Sequence, residues 1–191
     1  MVLVVGGQAR KVGKTAVVAG IIRGTADAGW TALKVTHHHA AEGWSLEREN
    51  SATGDSGRYL AAGASESWFL RCSTESLGEA MPGVRKLLEA TRHCIIESNS
   101  ILDYLAPDAY LLVLDPQVED MKESALRHFR RADAFVLVNE QETQRWDLRG
   151  GPTFTVSPPR FECSALAEFV RERMRQAAGS VTRSEMPSGP D

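Results

Sequence analysis

The sequence predicts a three-layer α/β fold, in which a mostly parallel β-sheet is flanked by helices on both faces. Short apolar segments alternate with longer amphipathic ones along most of the chain, which is typical of repeated β-α-β units. A length of 191 residues is enough to bury one sizeable core. Without an internal repeat or a linker, we expect one domain over residues 1–179. Residues 180–191 are rich in Ser, Pro and Gly, which predicts a disordered tail.

The elements follow from local patterns of apolar residues. Strands are predicted at Val2–Val5, Thr31–Thr36, Trp68–Arg71, His93–Glu97, Tyr110–Leu114, Ala134–Val138 and Thr153–Val156. Helices are predicted at Ala16–Ala28, Ser56–Ala62, Ser73–Arg92, Ile101–Leu105, Met121–Arg131 and Ser164–Ala177. Pro82 and Gly83 are expected to split the third helix into two pieces. The polar segment His37–Gly54 shows no periodicity, which indicates a long loop, and such loops are usually functional or disordered.

Composition and charge exclude several classes of function. The formal net charge of −3 argues against a protein that works by neutralising nucleic-acid phosphates. No apolar segment approaches the roughly 20 residues of a membrane-spanning helix, and Met1–Val5 is too short for a signal peptide. Cys72, Cys94 and Cys163 have no CxxC spacing, which indicates reduced thiols. We therefore expect a cytoplasmic protein without a membrane or nucleic-acid partner.

The segment Gly6–Thr15 has the pattern of a phosphate-binding loop. A buried strand leads into glycines, and Gly13, Lys14 and Thr15 open a helix. The N–H groups of such a loop and the positive end of its helix face phosphates, which predicts a P-loop NTPase fold. We expect Lys14 to reach the β- and γ-phosphates and the Thr15 hydroxyl to ligate Mg²⁺. The residues expected to contact the nucleotide here are Gly7, Gln8, Val12, Gly13, Lys14, Thr15 and Ala16.

Two further groups of polar residues follow predicted strands, at the edge where open α/β sheets bind ligands. Glu97 ends the strand His93–Glu97, where its carboxylate would hold a Mg²⁺ water or polarise the attacking water. Asn99 follows it and is read as a helix cap. His37, His38 and His39 follow the second strand. Three adjacent histidines cannot point the same way, so we expect one or two of them, His37 first, to contact substrate or the γ-phosphate.

The segment Asn139-Glu140-Gln141-Glu142 bears on which base is bound. It follows the strand Ala134–Val138, where GTP-binding proteins place Asn-Lys-x-Asp. Asn139 is kept and the carboxylate of Glu142 could accept from guanine, but the lysine is missing. The segment weakly favours GTP, and ATP stays open as the ligand.

The chain resembles the molybdopterin-guanine dinucleotide biosynthesis adapter (MobB) family of P-loop NTPases, from about Val2 to Val138. Four segments carry the resemblance: Gly6–Thr15, Ala32–His39, Asp55–Ala64 and Ile95–Glu97. The resemblance implies GTP binding, slow hydrolysis, a homodimer, and a partner enzyme that attaches GMP to molybdopterin.

The resemblance also implies roles for Asp55 and Arg58. Asp55 would lie near Mg²⁺ or substrate, so that the catalytic residues would be Lys14, Glu97 and Asp55, and Arg58 would contact a phosphate. Read from its position alone, Asp55 could instead cap the helix that follows. The family continues its acidic strand with Gly, an aromatic residue and Lys, whereas this chain has Ser98-Asn99-Ser100 after the acid.

Three functions stay open at this stage. The first is a GTP-binding adapter with slow hydrolysis. The second is a small-molecule kinase, whose acceptor pocket the loop His37–Gly54 and its Arg48 could supply. The third is a non-catalytic binding module, since Gln8 stands where the GxxxxGK[ST] spacing requires glycine.

Overall fold

A computed structural model describes residues 1–37, 43–51, 54–139 and 146–184, with the backbone alone at 55, 56 and 180–184. The strands are β1 (Val2–Gly7), β2 (Thr31–Thr36), β3 (Trp44–Arg48), β4 (Glu66–Cys72), β5 (Cys94–Glu97), β6 (Ala109–Leu114), β7 (Ala134–Val138) and β8 (Thr153–Val156). The α-helices are α1 (Lys14–Gly24), α2 (Gly54–Ala61), α3 (Leu77–Glu89), α4 (Glu123–His128) and α5 (Ser164–Ser184). Short 3₁₀ helices form at Ala26–Ala28, Ser100–Asp103 and Phe129–Arg131.

The strands form one sheet in the order β3-β4-β2-β5-β1-β6-β7-β8. Every pairing is parallel except that of β3 with β4, which is antiparallel. The predicted fold class is therefore confirmed. Because β1 lies between β5 and β6, the loop that leaves β1 opens at the centre of the sheet's carboxyl edge, where connections diverge to both sides.

Two apolar cores hold the three layers together. Alternate residues of each central strand face opposite sides: Leu3 and Val5 of β1 lie in one core and Val4 in the other. Helices α1, α2 and α5 cover the first face, while α3 and α4 cover the second. Among the described residues, no helix is both long enough and apolar enough to cross a membrane.

The predicted loop His37–Gly54 is wrong over Trp44–Arg48, which form the edge strand β3. The polar composition of β3 gives little indication of a strand. Trp44 and Leu46 alternate with polar residues and pack against α3. A Cβ atom at Gly83 of that helix would lie 3.4 Å from the Trp44 ring. Arg48 pairs with Glu66 of β4 at 2.9 Å, so it serves the sheet edge rather than the acceptor pocket that the sequence suggested.

Helices α3 and α5 differ from their predictions. Helix α3 runs through Pro82, so the predicted split is wrong. The carbonyl four residues before a proline loses its helical partner, but Leu77, Met81 and Val84 anchor this helix in the core on both sides of Pro82. Helix α5 continues past Ala177 to Ser184, which takes in the first five residues of the predicted tail. Residues 185–191 lie outside the described chain, where the tail stays a prediction.

Candidate functional site

The loop after β1 is shaped by two glycines. Gly13 has a φ of +87°, a left-handed conformation that glycine adopts without strain, and α1 begins at the next residue, Lys14. The side-chain stem of Lys14 passes over Gly7, where a Cβ atom would lie only 2.6 Å from Cγ of the lysine. The Lys14 ammonium then donates to the carbonyl oxygen of Ala9 at 2.9 Å. The loop therefore carries its lysine folded over its own backbone.

The pKa of Lys14 is lowered from 10.5 to about 8. Burial is the main cause, because it disfavours the charged form. The charges of Lys122 and Lys34 lower the pKa further, whereas the charge of Glu97 opposes them. A negatively charged ligand beside Lys14 would favour the charged form and raise the pKa of the lysine again.

Glu97 lies at the centre of a buried polar cluster beside the helix N-terminus. It accepts a hydrogen bond from the Thr15 hydroxyl at 2.8 Å and another from the phenol of Tyr59. The register of β2 against β5 places Lys34 opposite Glu97, and the ammonium lies 3.5 Å from the carboxylate and 3.1 Å from the Thr15 hydroxyl. The carboxylate is thus held by groups from three elements, α1, α2 and β2.

A cavity of about 580 Å³ opens beside this cluster. Glu97 is the one carboxylate among the described residues that line it, and six cationic side chains surround it: Arg10, Lys11, Lys14, Lys34, Arg58 and Lys122. A concave site lined by charges of one sign concentrates ligands of the opposite sign. With the N-terminus of α1 at its floor, the cavity is suited to a multiply charged anion such as a chain of phosphates.

Asn99 anchors the entry of the loop rather than capping a helix, which corrects the sequence prediction. Its side-chain oxygen accepts from the N–H of Gly7 at 2.8 Å, and its amide donates to the Gly7 carbonyl at 2.9 Å. No side-chain cap forms on the 3₁₀ helix that follows. A Cβ atom at Gly6 would overlap the Asn99 side chain and the phenol of Tyr110, so this glycine is needed for the close approach.

Gln8, which departs from the P-loop spacing, points away from the phosphate cavity. Its fully buried side chain donates to the carbonyls of Val118 and Asp120 at 2.6 and 3.2 Å, and accepts from the N–H of Asp115 at 2.8 Å. The Gln8 carbonyl also accepts from the N–H of Lys122 at 2.8 Å. Gln8 therefore fastens the loop to the segment after β6, and its side chain does not block the cavity.

Restoring glycine at this position should destabilise the protein. The Gln8→Gly variant would leave the Asp115 N–H and two carbonyls without these partners, so we expect a loss of about 2–3 kcal/mol in the free energy of unfolding. Urea denaturation followed by circular dichroism measures it. Gln117→Gly, at an exposed position in the same connection, serves as the control. Equal stability of the two variants would contradict the fastening role.

The structure brings together seven of the residues predicted for the site. Those that line the cavity are Gly13, Lys14, Thr15, Ala16, His37, Arg58 and Glu97. Gly7 and Gln8 do not line it, and their N–H groups donate to Asn99 and to the carbonyl of Val113. Val12 is buried in the core. Asn139 follows β7 with its N–H bonded to Val156 and is not among the cavity's lining residues.

Four of the predicted site residues cannot be placed. The side chain of Asp55, and the whole of His38, His39 and Glu142, lie outside the described residues. Their roles at the site stay predictions. The backbone of Asp55 lies in the first turn of α2, the helix that carries Arg58 to the cavity.

Sequence reasoning missed Lys34, Tyr59 and Lys122 as members of the site. Lys34 lies within a predicted strand, but its place opposite Glu97 depends on the strand order, which the sequence pattern does not give. Tyr59 and Lys122 carry no local signal, because they reach the site through helix packing and through the connection from β6 to α4.

Thr15 and Glu97 fit a magnesium site. Mg²⁺ prefers hard oxygen ligands and usually takes one or two from protein, with phosphates and waters completing its shell. The Thr15 hydroxyl and the Glu97 carboxylate already share the Lys34 ammonium, so the pair accommodates a cation. The described residues contain no group of three or more His, Cys, Asp and Glu side chains that could hold a metal unaided.

Comparison with known proteins supports the fold. No protein-family model matches the sequence, and no curated protein matches it significantly. LpxK from Aquifex aeolicus, solved as an "apo" form in complex with ATP, is 22% identical with a TM-score of 0.54, over 81% of this chain and 53% of LpxK. HypB from Helicobacter pylori, solved in complex with nickel, is 15% identical with a TM-score of 0.57, over 92% of this chain and 87% of HypB.

These similarities show a P-loop NTPase fold. The chain spans about half the length of LpxK. They show the fold alone and give no evidence for the MobB family.

Proposed function

We propose that this protein binds a nucleoside triphosphate together with Mg²⁺ in the cationic cavity. The observation that carries the proposal is the concentration of six cationic side chains and one carboxylate around the N-terminus of α1. A phosphate chain would satisfy the positive charges and relieve the penalty on Lys14, while a small neutral ligand would do neither.

Each residue of the cluster has a distinct role in this proposal. Lys14 neutralises the phosphates that lie over the loop. Thr15 and Glu97 would hold Mg²⁺, which, when bound, stabilises charge on the transferring phosphoryl group. Hydrolysis should be slow, because the Glu97 carboxylate is occupied by Thr15, Tyr59 and Lys34 and is therefore a poor base for water.

The choice between GTP and ATP depends on the segments after β7 and β8. A Cβ atom at Gly13 would lie 3.5 Å from Val138 and 3.2 Å from Phe161, so both segments adjoin the loop. The proposal favours GTP because Asn139 keeps the first position of the guanine-binding motif. The adapter role in molybdenum-cofactor synthesis and a homodimer belong to the same proposal and rest on the sequence resemblance. A cytoplasmic location also belongs to it and rests on the composition of the sequence.

Calorimetric titration with GTP and ATP, each with and without Mg²⁺, tests the proposal. We expect GTP to bind more tightly than ATP, and Mg²⁺ to strengthen binding of the nucleotide. If neither nucleotide binds, the proposed function is wrong, and equal affinities would remove the preference for guanine.

Glu97→Gln should abolish most of the gain in affinity that Mg²⁺ provides. The amide keeps the size of the side chain but loses the charge that attracts the metal, so we expect the Mg²⁺ effect on nucleotide affinity to fall about tenfold, or about 1.4 kcal/mol. Glu89→Gln, at the exposed end of α3, is the control. A Mg²⁺ effect of full size in Glu97→Gln would assign the metal to other ligands.

A further inference from the structure

A second cavity of about 190 Å³ adjoins the cationic cavity. Lys14, His37, Glu97 and Lys122 line both cavities, so the two meet at the lysine that would hold the transferable phosphate. At roughly 30 Å³ for each water in the liquid, the second cavity has room for about six water molecules, or for one small organic molecule.

Hydroxyl groups line the side of this cavity that the phosphate cavity does not share. Thr74, Ser98, Ser100 and Ser124 contribute four hydroxyls, together with the side chain of Asn99. The segment Ser98-Asn99-Ser100 is the stretch in which this sequence departs from the family that it resembles. Ser98 and Ser100 line this cavity together with Lys14.

Hydrogen bonds hold the hydroxyls of Ser98 and Ser100 in place. The N–H of Ile101 donates to Ser98 Oγ at 3.2 Å, and Ser98 Oγ lies 3.2 Å from Ser100 Oγ. Ser100 Oγ is in turn hydrogen-bonded to Nε2 of His37 at 2.7 Å. Because a serine hydroxyl can donate once and accept twice, these groups retain the capacity to bind a ligand.

We propose that the second cavity binds a small polyhydroxylated molecule that accepts the γ-phosphoryl group. This inference rests on the proposed nucleotide binding and replaces the adapter role with that of a small-molecule kinase. Hydroxyls that both donate and accept match the hydroxyls of a polyol, while Lys14 and Lys122 admit a carboxylate on the same molecule.

In the transfer step, an acceptor hydroxyl oxygen forms a bond to the γ-phosphorus as the bond from that phosphorus to the β–γ bridging oxygen breaks. The bridging oxygen keeps the electron pair and leaves on the nucleoside diphosphate. The hydroxyl proton passes to water at the open mouth of the cavity. The protein supplies the positioning, since both substrates would meet at Lys14.

Protein saturated with Mg²⁺ and GTP, incubated with glycerol, D-glycerate, erythritol or D-ribose, tests the inference. We expect mass spectrometry to detect a phosphate ester of at least one compound. Thr74 lines this cavity and not the cationic cavity. The Thr74→Leu variant adds bulk there, so it should lower the yield of the phosphate ester about tenfold without changing GTP affinity. Glu75→Leu, the exposed neighbour, should match the wild type.

The outcomes separate this inference from the nucleotide proposal. If GTP binds and none of the four compounds is phosphorylated, the acceptor site is wrong and the nucleotide proposal stands. Equal yields from Thr74→Leu and Glu75→Leu would also overturn the site, because transfer would then occur elsewhere. If neither GTP nor ATP binds in the calorimeter, both proposals fail together.

Discussion

Lys14→Ala is expected to lower nucleoside triphosphate affinity about 100-fold, a loss of about 3 kcal/mol. The variant removes the charge that the phosphates would meet at the floor of the cavity, where charge-assisted hydrogen bonds are stronger than neutral ones. Calorimetric titration with GTP and Mg²⁺ measures the loss. Lys86→Ala, an exposed lysine of α3, should bind as the wild type does. Unchanged affinity in Lys14→Ala would remove the basis of the nucleotide proposal.

The same variant should fold and should be no less stable than the wild type. In the folded protein the pKa of Lys14 is about 8, below its unfolded value, so the charged lysine opposes folding at neutral pH. The destabilisation by the charged lysine is fully present below pH 8. It decreases as the pH rises toward 10.5, where the lysine of the unfolded chain also loses its proton. Wild-type stability relative to Lys14→Ala should therefore increase over that interval, which urea denaturation at several pH values measures.

Gly20→Ala should destabilise the protein by about 3 kcal/mol, although alanine is the better helix former. Gly20 is buried in α1, and an added Cβ atom would overlap the backbone carbonyl of Phe161. A backbone group in the connection between β8 and α5 cannot turn aside as a flexible side chain could. The overlap must push α1 away from that connection, and thermal unfolding measures the effect.

Gly179→Ala provides the matched control for Gly20→Ala. Gly179 lies in α5 with open space around its Cα atom, so alanine there should stabilise the helix by about 1 kcal/mol. Opposite signs for the two substitutions would confirm the close contact at Gly20. A stabilising Gly20→Ala would show that α1 and Phe161 do not approach each other.

The sequence was sufficient to predict most of the sheet and the loop that it positions. The strands Thr31–Thr36, Ala134–Val138 and Thr153–Val156 were predicted with their observed bounds, because each carries its signal in its own apolar residues. Lys14 and Thr15 were likewise found from local spacing. Strand β3 was missed because its two apolar residues, Trp44 and Leu46, lie within a long polar segment.

The rest of the candidate site depends on contacts between distant segments. The hydrogen bonds of Asn99 to Gly7 join residues 92 positions apart, and Gln8 reaches Val118 across 110 positions. The sequence does not indicate the partner of either side chain, because Asn and Gln serve equally well as caps, turn formers or surface groups. The pairing of Lys34 with Glu97 required the strand order, which the sequence pattern does not give.

The bridge that Lys34 makes between Thr15 and Glu97 bears on the order in which ligands arrive. Before any nucleotide binds, the Glu97 carboxylate is already paired with the Lys34 ammonium, and five further cations line the cavity. A free divalent ion would meet net repulsion there, whereas a nucleotide brings enough negative charge to reverse it. Magnesium should therefore bind together with a triphosphate, so that the apparent affinity of the protein for Mg²⁺ depends on the nucleotide concentration.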